Sequence, residues 1–144
     1  EVIRLWETKG WSRVDTIQDS HEGHVASLDF SPTGLYLAST GYDTMINVWS
    51  VKNREQTLSI STQRPRIYCV RWSTDSTRLA TANRDGSVRL WDAIKGREVL
   101  MIKAHNNRVM TVDWSPDGTR LASAGHDASV KIWDASSAFR DAGE

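Results

Sequence analysis

A tryptophan recurs at a nearly constant interval along the chain. Trp6, Trp49, Trp91 and Trp133 are separated by 43, 42 and 42 residues, and each ends a short run such as "GSVRLWD" or "ASVKIWD". A constant period in this range is typical of a repeat architecture, in which one supersecondary unit is stacked on the next because it cannot bury its apolar face alone. The period therefore predicts that the chain folds as a series of similar units.

Three units align without gaps, and they begin at His21, Gln63 and His105. Each unit contains short alternating or β-branched runs, separated by turn sequences such as "SPTG", "STDS" and "SPDG". In such turns proline presets φ, glycine tolerates the last position, and Asp or Ser forms local hydrogen bonds. The pattern predicts strands rather than helices, with a weaker fourth strand after the tryptophan, as in "QTLSIS" and "VLMIK".

The first strand of each unit breaks its alternation at one place. In unit one its apolar positions are Val25, Leu28 and Phe30, a spacing of three and then two, and the other units repeat this spacing. An unbroken strand would place side chains on one face at every second residue. One extra residue at the same place in every unit predicts a β-bulge, which redirects the neighbouring side chains.

Composition limits the function classes. The 144 residues carry 18 basic and 18 acidic side chains, so the overall charge gives no argument for nucleic-acid or membrane binding. No apolar run approaches the roughly 18–20 residues that a membrane span requires. Because Cys69 is the single cysteine, an intrachain disulfide and a cysteine-based zinc site are excluded. We expect a soluble cytoplasmic protein, or a nuclear one if the source is eukaryotic.

The four-stranded units, their period and the positions recurring in register resemble the WD-repeat family, whose units build β-propellers. The resemblance covers residues 1–135 and implies an all-β fold of four-stranded antiparallel blades. It implies the last two strands of a preceding blade over 1–20, repeats over 21–62 and 63–104, and a third repeat over 105–144 with an incomplete outer strand. Because propellers close with about four to eight blades, we expect part of a larger, seven-bladed-like ring. A longer chain or other copies would supply the remaining blades.

The same family resemblance implies a polar tetrad in each blade. In this family a histidine, a strand Ser or Thr, a turn aspartate and the tryptophan form a hydrogen-bonded network. The implied tetrads are His21, Ser39, Asp43 and Trp49 in unit one, Gln63, Thr81, Asp85 and Trp91 in unit two, and His105, Ser123, Asp127 and Trp133 in unit three. Since Gln63 replaces the histidine, we expect a weaker network in unit two.

Serine, histidine and aspartate are also the residue types of a hydrolase triad. We interpret the tetrads as structural, because the set occurs three times, once without histidine. The resemblance also implies a buried network connected in a different order from a triad. His21 and His24 have a spacing compatible with metal binding, but a third ligand is not near in the sequence. We therefore predict no catalytic residue, no metal site and no cofactor.

Propellers of the resembled family usually bind partners on the rim of their narrow face, through bulge-flanking residues and the residue before the turn aspartate. Those positions carry no acidic residue in this chain. The predicted partner-binding residues are His24, Tyr42, Arg66, Tyr68, Arg84, Arg108, Met110 and His126, with Ala26 at the ninth position. Arg, Tyr and Met are enriched at interface cores. The alternative interpretation is that the three arginines are solvated or paired with neighbouring blades.

This rim predicts a non-enzymatic scaffold that binds a protein or acidic peptide and does not act at a membrane. The competing hypothesis is a nucleic-acid or phosphate ligand within an RNA- or DNA-associated complex. In that case the arginines would neutralise backbone charge, and the tyrosines would stack on bases.

Overall fold

The computed structural model describes residues 1–18, 20–63 and 66–136, and within these ranges it contains strands and turns but no helix. It follows that no helix long and apolar enough to cross a membrane occurs in this described part of the chain. A two-stranded partial sheet, β1 (Ile3–Trp6) and β2 (Arg13–Ile17), precedes three larger antiparallel sheets. The predicted all-β fold of four-stranded antiparallel blades is confirmed.

Each aligned unit forms one sheet whose strands pair in chain order. Unit one comprises β3 (Val25–Phe30), β4 (Tyr36–Gly41), β5 (Met45–Ser50) and β6 (Gln56–Ser61). Unit two comprises β7 (Ile67–Trp72), β8 (Arg78–Asn83), β9 (Ser87–Asp92) and β10 (Glu98–Lys103). Unit three comprises β11 (Val109–Trp114), β12 (Arg120–Gly125) and β13 (Val130–Asp134). The prediction of an incomplete outer strand in unit three falls on residues 137–144, which lie outside the described residues.

The β-bulge predicted from the spacing of apolar residues is confirmed in all three units. In unit one Val25 pairs with Gly41 while Ser27 pairs with Thr40, so Ala26 has no place in the ladder. The same register shift falls between the equivalent residues of units two and three. The residues left out of the ladder there are Tyr68 and Met110.

The core lies between the sheets rather than within any one of them. At the junction of units one and two, Ile46 and Val48 belong to the same buried cluster as Val70 and Trp72. The equivalent residues at the next junction are Val88, Leu90, Val112 and Trp114. Removing apolar surface from water contributes roughly 25 cal/mol per Å². Each unit therefore depends on its neighbours for most of this stabilisation.

The same positions are exposed at the two ends of the stack. Leu28 and Phe30 of unit one are 43% and 54% exposed, although their equivalents at the next junction are buried. At the other end, Val130 and Ile132 are 72% and 68% exposed. The described sheets thus form an open arc with an apolar face at each end.

Candidate binding rim and the polar networks beneath it

In unit one the structure brings the tetrad residues into a continuous hydrogen-bonded chain. Nδ1 of His21 lies 2.8 Å from Oδ2 of Asp43, and its Nε2 lies 2.7 Å from Oγ of Ser39. The indole Nε1 of Trp49 donates to the same Oγ at 2.9 Å. Because the carboxylate accepts, we assign the proton to Nδ1, and the Ser39 hydroxyl then donates to Nε2. The network ties the turn aspartate to two strands and to the tryptophan.

Unit three repeats this arrangement. His105 lies 2.9 Å from Asp127 and 2.8 Å from Ser123, and Trp133 donates to Ser123 at 3.0 Å. Asp127 also accepts a hydrogen bond from the hydroxyl of Ser129 at 2.7 Å. The pKa of the Asp127 carboxyl is held well below its usual range by the hydrogen bonds that it accepts. The largest contribution comes from the Ser129 hydroxyl, followed by His105 and two backbone N–H groups. The carboxylate is thereby kept ionised.

The order of contacts is aspartate, histidine, serine, which is also the order in a hydrolase triad. The expectation of a different order was therefore wrong. These networks differ from a hydrolase triad in that a substrate cannot reach the serine hydroxyl, since Ser39 is 0% exposed and Ser123 is 1% exposed. The indole also donates to each hydroxyl oxygen that would have to attack a substrate. This geometry supports a structural role for both networks.

In unit two the structure places Gln63 at the surface, and Asn83 approaches the strand hydroxyl instead. Trp91 donates to Oγ1 of Thr81 at 3.0 Å, as Trp49 and Trp133 do to serine. Nδ2 of Asn83 lies 3.3 Å from the same oxygen. It also donates to the carbonyl oxygens of Thr81 and Ser87, at 3.1 and 3.0 Å.

Asn83 aligns with Gly41 and Gly125, and this difference has a steric cause. A Cβ atom added to Gly125 would lie 2.6 Å from Nδ1 of His105, which is too close for non-bonded atoms. At Gly41 it would lie 2.8 Å from the backbone carbonyl oxygen of His24 and 3.1 Å from the equivalent nitrogen of His21. A histidine and a side chain at this strand position therefore compete for the same space. The pairing of His with Gly and of Gln with Asn in the aligned units was the sequence signal for Asn83.

The turn aspartate of unit two meets an arginine. Arg89 is buried, and its Nη2 lies 2.9 Å from Asp85 while its Nη1 lies 2.6 Å from Glu98. Burial raises the pKa of Asp85, but hydrogen bonds from Ser87 and Arg89 outweigh it, so the pKa is lower than usual. Sequence reasoning missed Arg89, although a charged residue in the middle of an apolar strand was a visible signal.

Both ring nitrogens of His21 are engaged by Asp43 and Ser39, and the ring of His24 packs against Tyr42. Within the described residues no three His, Cys, Asp or Glu side chains are grouped closely enough to hold a metal ion. The His21–His24 spacing thus reflects two separate structural contacts.

The predicted rim positions are brought together by one recurring backbone hydrogen bond. In each unit the residue before the turn aspartate donates its N–H to the carbonyl of the residue before the first strand. The pairs are Tyr42 to His24 at 3.1 Å, Arg84 to Arg66 at 3.1 Å and His126 to Arg108 at 2.8 Å. All six of these residues are exposed at the same end of the strands.

At the junction of units one and two, four rim residues form an aromatic and cationic cluster. The Tyr42 ring meets the rings of His24 and Tyr68 edge to face, at 5.5 and 6.1 Å between centroids. The guanidinium carbon of Arg66 lies 5.0 Å from the centre of the Tyr42 ring. This is cation–π geometry, which holds the guanidinium at a defined place. Met110, on the neighbouring unit, is 41% exposed.

The rim arginines have no carboxylate partner in the described part of the chain. The arginine–carboxylate pairs found there are formed by other arginines, such as Arg54 with Asp15 and Arg78 with Asp92. Arg66, Arg84 and Arg108 are all exposed. This distribution argues against their pairing with neighbouring blades, and it leaves a locally positive surface on a chain of zero net charge.

Comparison with known proteins agrees with this architecture. The sequence model of the WD40 family, described as "WD domain, G-beta repeat", matches residues 12–50, 54–92 and 96–134. A WD40 repeat-containing protein of Dictyostelium discoideum is 38% identical over 78 residues, which is 53% of this chain and 12% of that protein. The periodic tryptophan protein 2 homolog of Neurospora crassa is 38% identical over 55 residues, covering 38% of this chain and 6% of the relative.

A third relative is the EARP and GARP complex-interacting protein 1 of Rattus norvegicus. It is 30% identical over 80 residues, which is 54% of this chain and 21% of that protein. The chain therefore spans between 6% and 21% of the length of these curated relatives.

Proposed function

Because the chain belongs to the WD40 family of WD domain, G-beta repeat proteins, we propose that it is a non-enzymatic scaffold binding an acidic segment of a protein partner. WD40 repeats generally serve as protein-interaction scaffolds, and one relative is named for its interaction with complexes. The proposed binding surface is the arginine rim, which comprises His24, Tyr42, Arg66, Tyr68, Arg84, Arg108, Met110 and His126.

The observation that carries this proposal is the cation–π contact of Arg66 with Tyr42, on a rim that carries two further exposed arginines, Arg84 and Arg108. A guanidinium binds a carboxylate through two parallel hydrogen bonds, and such bonds are stronger than those between neutral groups. An arginine already held in place by an aromatic ring loses less conformational entropy when it binds. The exposed surfaces of Tyr42 and Met110 add the residue types found at interface cores.

The nucleic-acid hypothesis is weaker on the same geometry. Base stacking requires a free aromatic face. The Tyr42 ring has Arg66 over one face, and it is also in edge-to-face contact with the rings of His24 and Tyr68. Tyr68 is itself partly buried. A peptide carboxylate needs the guanidinium groups and not the ring faces, so the acidic partner is favoured.

A labelled glutamate-rich peptide, titrated at low ionic strength, tests the arginine rim. We expect the double variant Arg84→Glu, Arg108→Glu to bind it at least about 30-fold more weakly, because two attractive charges become repulsive. The matched control is Lys95→Glu, Arg97→Glu, which makes the same charge change on exposed residues at the opposite ends of the strands. Its affinity should change by less than about threefold, since distant exposed charges are screened.

Equal weakening by the two double variants would contradict the rim assignment. Tighter binding of a single-stranded oligonucleotide, with an affinity that falls steeply as salt rises, would favour the nucleic-acid hypothesis instead.

We further propose that additional blades cover the two apolar end faces of the arc. The supporting observation is that Leu28, Phe30, Val130 and Ile132 are exposed while their equivalents at the internal junctions are buried. These blades would come from a longer chain or from other copies, and the mass of the chain in solution distinguishes the two sources.

A further inference from the structure

A cavity of about 300 Å³ lies between the sheets of units one and two. It is at the opposite end of the strands from the arginine rim, because its lining includes Tyr36 at the start of β4 and Trp72 at the end of β7. The rings of these two residues are stacked, with centroids 6.3 Å apart. The apolar part of the wall consists of Val48, Leu58, Ala93 and Ile94.

Two buried polar atoms among the lining residues have no hydrogen-bond partner within the described ranges of the chain. They are Nε1 of Trp72, a residue that is only 5% exposed, and Oγ of Ser76. Buried polar groups in proteins are nearly always hydrogen-bonded, and leaving one without a partner is costly. An indole nitrogen can only donate, so it requires an acceptor. Trp72 and Ser76 both line the cavity, so a molecule bound there would be placed to supply the partners that these two atoms lack.

The backbone at Ser76 strengthens this argument. Its φ is 59°, in the left-handed region, and the aligned residues of the other two units are Gly34 and Gly118, with φ of 70° and 71°. Glycine adopts this conformation without steric cost, whereas serine does not. Ser76 thus places a hydroxyl at a turn position that favours glycine, and this residue lines the cavity.

We propose that this cavity binds an aliphatic side chain of a peptide partner, with a main-chain carbonyl of the same peptide accepting a hydrogen bond from the indole of Trp72. The Ser76 hydroxyl pairs with the adjacent peptide group. The volume is at the lower end of ligand sites, which suits one side chain rather than a large cofactor. Among the residues that the structure describes, none with a charged side chain lines the cavity, which therefore suits an uncharged ligand. Ile94, which is 78% exposed, extends the apolar surface beyond the cavity.

The test uses N-acetyl-leucine methylamide as the probe and N-acetyl-glycine methylamide as its control, each added to the full chain. The two compounds carry the same carbonyl groups and differ only in the aliphatic side chain. In a ¹H–¹⁵N spectrum, the indole proton of Trp72 is identified by its loss in the Trp72→Phe variant. We expect the leucine probe to shift this proton downfield in a saturable manner, and the glycine probe to leave it in place.

Ser76→Gly is the decisive variant, because glycine is the residue at both equivalent turns and preserves the backbone. Losing one hydrogen bond should weaken the leucine probe about fivefold. Arg84→Glu on the arginine rim should leave probe binding unchanged, so failure of the proposed rim and failure of this site are separable.

Three results would overturn the proposal. They are no shift of the indole proton up to the solubility limit of the leucine probe, equal binding by Ser76→Gly and the unchanged chain, or a water contact at the indole proton that the probe does not displace.

Discussion

Units two and three stabilise the same strand and turn with different side chains. In unit three one imidazole, that of His105, contacts both the strand hydroxyl and the turn carboxylate. In unit two the amide of Asn83 serves the hydroxyl and the guanidinium of Arg89 serves the carboxylate. The fold therefore requires two hydrogen-bonding functions at fixed places, and one residue or two can supply them.

The comparison also shows that these choices are coupled. The histidine requires glycine at the strand position of Gly125, whereas its replacement by Gln63 leaves space for Asn83. A substitution at either position alone should then be harmful, even where the new residue is native to another unit. Our expectation that the unit-two network is weaker remains a prediction, and the variants below measure it.

The largest effect is expected from Gly125→Asn. The new Cβ would lie 2.6 Å from the His105 ring, so we expect a loss of about 3 kcal/mol in the free energy of unfolding. Adding His105→Gln should recover part of this loss, since the pair then reproduces the unit-two residues and the new amide reaches Ser123. Urea denaturation of both variants measures the free energy of unfolding. A double variant less stable than Gly125→Asn would contradict the steric coupling.

A smaller effect is expected from Asn83→Gly. Although glycine is native at this position in the other units, here it removes the donor to Thr81 and to the Ser87 carbonyl. We expect a loss of about 1–2 kcal/mol by the same denaturation measurement. Gln63→Asn is the control, because Gln63 is exposed and asparagine tolerates its φ of 52°, so the change should stay within about 0.5 kcal/mol. If the two variants lose equal stability, Asn83 does not replace the histidine.

The smallest effect is expected in the dependence of thermal stability on acidic pH. The folded pKa of Asp127 is depressed below the ordinary value of 3.8, so folding favours its ionised form. The resulting stability is complete above the unfolded pKa and is lost as pH falls below it towards the folded pKa. Asp127→Asn should therefore flatten the decline of Tm between about pH 5 and pH 2, as followed by circular dichroism. Asp85→Asn should flatten it as well, because the pKa of Asp85 is also lowered. An unchanged profile in Asp127→Asn would show that its hydrogen bonds do not depend on charge.

The features predicted from the sequence are those with a fixed geometric period. Strand side chains alternate strictly, so the break between Val25 and Leu28 located the bulge before any contact was known. The interval between tryptophans likewise gave the number of units. These inferences needed only the order of apolar residues along one strand.

The remaining features depend on side chains from different strands or units meeting in space. Asn83 replaces the histidine because a histidine ring in the loop lies too close to a Cβ atom at this strand position. The sequence alignment shows that the residues are exchanged, but it does not show this steric clash. The contact of Arg66 with Tyr42 joins units one and two, as does the cavity containing Trp72 and Ser76. Neither has a period in the sequence that could predict it.

The bulge has a consequence for how such a protein diversifies. Ala26, Tyr68 and Met110 stand outside the hydrogen-bonded ladder, and they are chemically unrelated although their units are otherwise similar. Substitutions at these three positions are not restricted by the strand pairing that restricts the neighbouring residues. The binding specificity of each unit can thus change through a single substitution at the bulge, while the hydrogen-bonded sheet of that unit is kept.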